Sequence, residues 1–264
     1  MTTALKEFRL RPPRRSFLLP TSVVIVAALA MILHANRNDL LFTVTQSTAT
    51  SGLAFMDGGS TLAMSDWHGT IEFWDTRKKA KLPLTIKTGG RGLKLSAASN
   101  GTIIAAWGAR LSDATFFLRL WDIKTGQEIV IHGLLPTEWF AVSPDGKTLV
   151  TRPVTRPAHV WDVPARRLVT SVPLSALYEF RFSADGRALF SEAGGIIYRW
   201  NTKTWQQEGK YITKAGRNHG GPFAVSSDRR WYAVIGNGLQ LEDSQTHRAL
   251  SALGRRELCF LAGR

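Results

Sequence analysis

Cysteine is almost missing: Cys259 is the single one among 264 residues. An intramolecular disulfide is therefore excluded, and so is a Cys/His metal framework. Acidic residues are scarce too, with 20 Asp and Glu against 34 Lys and Arg, a formal charge of +14 and a pI near 10.5. No Gly-rich phosphate loop, His-Glu-x-x-His, Gly-x-Ser-x-Gly or Cys-x-x-Cys pattern occurs. Nucleotide-loop, zincin, serine-hydrolase and thioredoxin-like chemistries thus have no footing in the chain. His68, His132, His159, His219 and His247 are scattered without metal-ligand spacing, so neither a metal nor a cofactor is expected.

What is present is ordinary for a folded chain, with hydrophobic residues at 44% and charged residues at 20%. The exception is tryptophan. Nine Trp residues call for a repeated packed environment, because each indole is large and carries one polar donor.

One long apolar run stands at the N-terminus. Residues 16–36, SFLLPTSVVIVAALAMILHAN, carry no Asp, Glu, Lys or Arg, and about 20 such residues suffice to cross a bilayer as a helix. Before it, Lys6, Arg9, Arg11, Arg14 and Arg15 outweigh Glu7, and Arg37 follows it. This asymmetry predicts a basic cytoplasmic tail at 1–15, a transmembrane signal-anchor at 16–36, and the rest of the chain on the extracytoplasmic side. The alternative is a secreted protein, cleaved at the small-residue site Ala28-Leu29-Ala30. The Met31-Ile32-Leu33 continuation of the apolar run speaks against that site.

After residue 40 the chain repeats itself. Five stretches share a short apolar strand, a turn built on Asp-Gly or a relative, a second strand and an aromatic-acidic ending. They run Leu53 to Asp75, Leu93 to Asp122, Phe140 to Asp162, Phe180 to Asn201 and Phe223 to Asp243. Their closing positions, 75, 122, 162, 201 and 243, lie about 40 to 47 residues apart. The segments are short and rich in β-branched and aromatic residues, which favours strands. Asp145-Gly146 and Asp185-Gly186 suit tight turns between them.

A period of this length with Trp-Asp endings resembles the WD-repeat β-propeller family. The resemblance covers nearly everything after residue 40 and implies an all-β propeller over 40–264. Its blades would be four-stranded: five of them, or six with the last incomplete. Leu40 to Thr45 and Glu257 to Arg264 are candidates for pairing in a closing blade, and a truncated gene product is the other reading. The resemblance also assigns structural roles. Trp74, Trp121, Trp161 and Trp200 belong in blade-to-blade layers, rather than in an aromatic cage. Asp75, Asp122, Asp162, Asn201 and Asp243 close the repeats.

The repeats are degenerate. The family's Gly-His pair is absent, with His132 lying roughly where such a histidine would fall. Its Asp six residues before the Trp is replaced by His68, Thr115, Thr155, Gly194 and Gly236. The polar tetrad that these residues build in the family is expected to be missing, leaving apolar packing to hold the blades.

For function, turns and strand ends account for most acids, so the chain is expected not to be an enzyme. The expected role is a membrane-tethered, non-catalytic interaction or scaffold module whose partner is another protein. The alternative is an extracytoplasmic ligand-binding or enzymatic propeller with its site in the central channel. Basic residues are spread along the chain, and the loop sets of the two propeller faces come out nearly equal, at about +4 and +5. No patch of the kind a nucleic-acid binder concentrates is present. Trp67, His68, Trp139, Trp205 and Trp231 fall outside the repeated Trp positions and form the candidate partner surface.

Overall fold

Ile103 to Ala106 is apolar at four successive positions, a pattern suited to a strand buried on both faces. In the computed structural model Ile103 and Ala105 enter one packed layer, while Ile104 and Ala106 enter another on the opposite side. The same two-residue period sends Leu149 one way and Val150 the other, and likewise separates Leu189 from Phe190. Alternation along a strand thus makes each inner sheet a partner in two layers at once.

The structure describes residues 49–137, 139–153, 157–173, 179–213, 223–226, 230–236, 238–243 and 249–250. The tail 1–15, the apolar segment 16–36, Leu40 to Thr45 and Glu257 to Arg264 lie outside them. Among the described residues no helix is long and apolar enough to cross a membrane.

Among the described residues twenty strands form five four-stranded antiparallel sheets, each made from consecutive strands. Blade 1 holds β1 (Thr50–Met56), β2 (Thr61–Asp66), β3 (Thr70–Asp75) and β4 (Ala80–Lys87). Blade 2 holds β5 (Gly90–Ala97), β6 (Ile103–Arg110), β7 (Phe116–Asp122) and the two-residue β8 (Glu128–Ile129). Blade 3 holds β9 (Phe140–Val142), β10 (Thr148–Thr151), β11 (Ala158–Asp162) and β12 (Arg167–Val172). Blade 4 holds β13 (Glu179–Phe182), β14 (Ala188–Ala193), β15 (Ile196–Asn201) and β16 (Gln207–Ile212). Blade 5 holds β17 (Phe223–Val225), β18 (Trp231–Gly236), β19 (Gly238–Asp243) and β20 (Ala249–Leu250). The fold of the described residues is a five-bladed β-propeller, the first of the two blade counts the repeat left open.

The first strand of each blade is innermost, and β1, β5, β9, β13 and β17 pack in series. Backbone donors cross between several of them. Leu93 donates its N–H to Ser51 Oγ (3.1 Å), Val142 to Ser96 Oγ (3.0 Å) and Phe223 to Glu179 Oε2 (3.3 Å). Four apolar layers join blade 1 to 2, 2 to 3, 3 to 4 and 4 to 5. Each fully buried Ile, Leu or Phe in them contributes about 1.5–3 kcal/mol, so the layers carry most of the fold.

The described connections fall on two faces. The upper face holds the turns between second and third strands and the crossovers between blades; the lower face holds the other turns. Thr50 pairs with Asp66 at the end of β2, so β1 starts from the upper face. Thr88 and Thr213, each just after a fourth strand, pin that face by donating to the carbonyls of Gly69 (2.9 Å) and Gly195 (3.0 Å).

Candidate functional site

The strand-end residues of the repeat act locally. Asp75 Oδ1 accepts from the backbone N–H groups of Arg77 and Lys78, Asp122 Oδ1 from Thr125, and Asp162 Oδ1 from Ala165. Asn201 does the same for Lys203 and Thr204. Each side chain closes the turn into the fourth strand, which is the Asx-turn chemistry of a short acceptor. The Lys78 N–H, ahead of the Arg77 N–H and both basic charges, holds the Asp75 carboxyl below its usual value. Asp243 differs: it is buried and meets Arg230 Nε at 2.9 Å.

The repeated tryptophans all point backward along the ring. Trp121 packs into the layer shared with blade 1, Trp161 into that shared with blade 2, and Trp200 into that shared with blade 3. They are 3–6% exposed. Trp74 lies across from Leu62, on the side of blade 1 turned away from blade 2, and is partly exposed. Blade 5 carries Glu242 at this position. It is fully buried and its Oε2 accepts from the Tyr211 hydroxyl of blade 4 at 2.8 Å. Burial and then the Glu242 carboxylate push the Tyr211 phenol far above its usual range.

One leg of the expected-missing tetrad survives. Trp161 Nε1 donates to Thr151 Oγ1 (2.9 Å) and Trp200 Nε1 to Ser191 Oγ (3.0 Å). Each hydroxyl stands two residues beyond the partner that faces the Trp, Leu149 or Leu189. The equivalent positions in blades 1 and 2 are Met64 and Ala106. Trp74 Nε1 accordingly is buried without an acceptor. Apolar packing is thus supplemented by a buried hydrogen bond in two blades, which corrects the expectation drawn from the missing Asp and His.

The five candidate surface positions are not brought together. Trp67 and His68 are exposed in the β2–β3 turn on the upper face, with Trp67 43% exposed. Trp139 also lies on that face, but it packs on the layer between blades 3 and 4 beneath the Arg152 guanidinium, 5.9 Å from its ring. Trp205 sits in the β15–β16 turn on the lower face, packed on the same layer. Trp231 begins β18 on the lower face, under Arg230 at 5.3 Å. Among the described residues, several outside the candidate set are more exposed, led by Leu111 (56%) and Phe116 (55%), in and after the β6–β7 turn. The Phe116-Phe117 pair was the available signal. Alternation buries one ring, Phe117, and turns the other outward.

A cavity of about 390 Å³ opens on the lower face between blades 2 and 3, lined in part by Asp122, Asp145, Lys147 and Arg166. Its aspartates are engaged in turns, and Glu128 of β8, also in the lining, pairs with Arg119 at 3.5 Å. Asp145 Oδ1 accepts from the Ser143 hydroxyl (2.6 Å) and the Lys147 N–H (3.0 Å). Partial desolvation works against the Asp145 charge, but Ser143, the Lys147 N–H and the Lys147 ammonium outweigh it and hold the carboxyl below its usual value. Among the described residues no group of His, Cys, Asp and Glu is arranged to hold a metal ion.

No protein-family model matches the chain, and no curated protein matches it in sequence. The fold has many likenesses, 1411 matching solved chains, so shape alone selects no function. One is the crystal structure of the Cps50 (Swd1) β-propeller domain of Myceliophteria thermophila. It matches with a TM-score of 0.58 at 15% identity, over 80% of this chain and 69% of that one. The chain is a WD-repeat-like propeller in architecture.

Proposed function

We propose that the chain is a membrane-tethered, WD-repeat-like propeller serving as a non-catalytic protein-interaction module. The observation supporting it is the use of the repeat's polar side chains. Asp75, Asp122, Asp145, Asp162 and Asn201 hold turns, so the blades form a rigid frame that offers its connections to a partner. Residues 16–36 provide the tether, with residues 1–15 in the cytoplasm and the propeller on the other side. Cleavage near Ala30 instead would release it. Of the candidate partner surface, Trp67 and His68 are the exposed members and the first to substitute; Trp139, Trp205 and Trp231 pack against their own blades or cations.

The test is affinity capture from detergent-solubilised membranes with the full chain and with Trp67→Ala/His68→Ala. Each form is checked for unchanged melting, and the captured material is sequenced from its N-terminus. Saturable capture of a defined protein by the native chain, together with an intact N-terminus in the membrane fraction, supports the module and its tether. A chain recovered starting after Ala30 replaces the tether with secretion. Turnover of a small molecule by the purified chain, with no saturable protein capture, would overturn the module.

A further inference from the structure

Charge does not distinguish the two faces, but apolar exposure does. Among the described residues the large, exposed hydrophobic side chains at or beside the connections are Trp67, Leu111, Phe116, Val130, Leu135 and Ile212. Five of the six lie toward the upper face; Val130 follows Ile129, which pairs with Leu120 two residues from the lower end of β7. Trp67 and Leu111 are in the β2–β3 and β6–β7 turns, and Phe116 opens β7. Val130 and Leu135 lie between β8 and β9, and Ile212 ends β16 beside the β14–β15 turn. The only others, Leu168 and Val169, are on the outer strand β12. Among the described residues the lower-face turns carry no large apolar side chain of comparable exposure, Trp205 being packed on the layer between blades 3 and 4.

Blades 1 and 2 make part of this surface continuous. Trp67 lies beside the Gly92 backbone. Thr88 binds the Gly69 carbonyl, and the Leu111 N–H binds the Gly89 carbonyl (3.0 Å), tying both turns to the crossover between them. Phe116 is stacked on Trp107, with ring centroids 5.0 Å apart. Among these side chains stand Lys87, Arg91 and Arg110, which form no ion pair among the described residues. Asp66 and Asp113 are occupied with the N–H groups of Thr70 and Thr115.

We infer that the upper face is a lipid-contacting surface, seated on an anionic bilayer. Indole and phenyl rings with Leu at the tips of rigid turns suit the headgroup boundary, where amphipathic aromatics concentrate. Unpaired Arg and Lys among them complement anionic headgroups, at about 1 kcal/mol for each cation at the surface. The chain's course agrees: β1 leaves from this face, and only residues 37–49 separate Thr50 from the apolar segment 16–36. This point rests on the tether proposed above. A short tether holds the face at high effective concentration near lipid, so a weak interfacial affinity suffices.

The test uses the full chain in detergent, in bilayers of phosphatidylcholine, and in bilayers containing phosphatidylglycerol. Amide exchange is followed at 67–69, 89–92 and 111–116 on the upper face, and at 57–60, 123–126 and 143–147 on the lower. The expected result is slower exchange of the upper set in the anionic bilayer alone, reduced by high salt. Arg91→Gln should cut that protection about fivefold, the equivalent of one surface cation. Trp67→Ala/Leu111→Ser should reduce it while the melting temperature holds. Equal exchange of both sets in bilayer and detergent overturns the inference. So does protection of the lower set, or protection of the upper set that appears only when a captured protein is added. Resistance to alkaline carbonate extraction reads the tether separately. A chain stripped by carbonate that still floats with anionic vesicles loses the tether and keeps the lipid-contacting face.

Discussion

Trp161 and Trp74 sit at the same place in their repeats and differ in one neighbour. Thr151 accepts the Trp161 indole N–H, whereas Met64 stands where the matching acceptor would be for Trp74. Removing the acceptor strands a buried donor, so Thr151→Val should cost about 1–3 kcal/mol. Trp74→Phe deletes a donor that already lacks a partner and should cost less than Trp161→Phe. Urea unfolding of the three variants decides it; equal losses for the two Phe substitutions would show that the hydroxyl contributes nothing. Asp145 gives a pH prediction. Its folded carboxyl is held below the unfolded value of about 3.9. Its contribution is therefore complete above that value and is lost as pH falls through the lower folded value. The gap in melting temperature between native chain and Asp145→Asn should be constant above about pH 5 and close below about pH 4. A gap independent of pH would mean that the turn does not depend on the charge.

Turns and strands were readable where local chemistry sets them. Gly146 and Gly186 take φ of +72° and +69°, the left-handed conformation the Asp-Gly pairs were expected to supply. The two turns then diverge through tertiary contact. A Cβ on Gly146 would overlap Thr102 Oγ1 and press on Ile103 of blade 2, while one on Gly186 would meet Pro144 at an ordinary 3.5 Å. Both Ala variants carry the same backbone strain, so their difference isolates crowding. Gly146→Ala should be less stable than Gly186→Ala by about 1–3 kcal/mol, measured by thermal melting. The Thr88 and Thr213 clamps were invisible by contrast. A threonine after a strand is common, and only the turn brought beside it makes it a pin.

At the scale of the whole molecule, four separate apolar layers among the described residues join blades that are neighbours in sequence. Such a series has nearest-neighbour energetics. Ile71→Val and Ile197→Val, in the first and last layers, should each cost about 0.5–1.5 kcal/mol and add to within about 0.5 kcal/mol. Ile71→Val with Ile104→Val, which share a layer, should depart from additivity by more. Strong coupling between the distant pair, seen in denaturant midpoints, would mean that the propeller responds as one core. The face asymmetry belongs to this scale as well. Charge counts along the chain left the faces equal, and the difference emerged only when Leu111, Phe116 and Ile212 were found exposed.

By itself the sequence determined the repeat, its period, a blade count of five or six, the Asp-Gly turns and the strand-end positions that close each repeat. Each rests on spacing or on contacts within a few residues, which a linear chain displays directly. Tertiary structure alone decided which candidate aromatics are exposed, since Trp67 and Trp139 look alike until blades 3 and 4 close over one of them. It also decided that Thr151 and Ser191 retain a leg of the polar tetrad. That bond depends on register between neighbouring strands, which brings a hydroxyl nine or ten residues away beneath the indole.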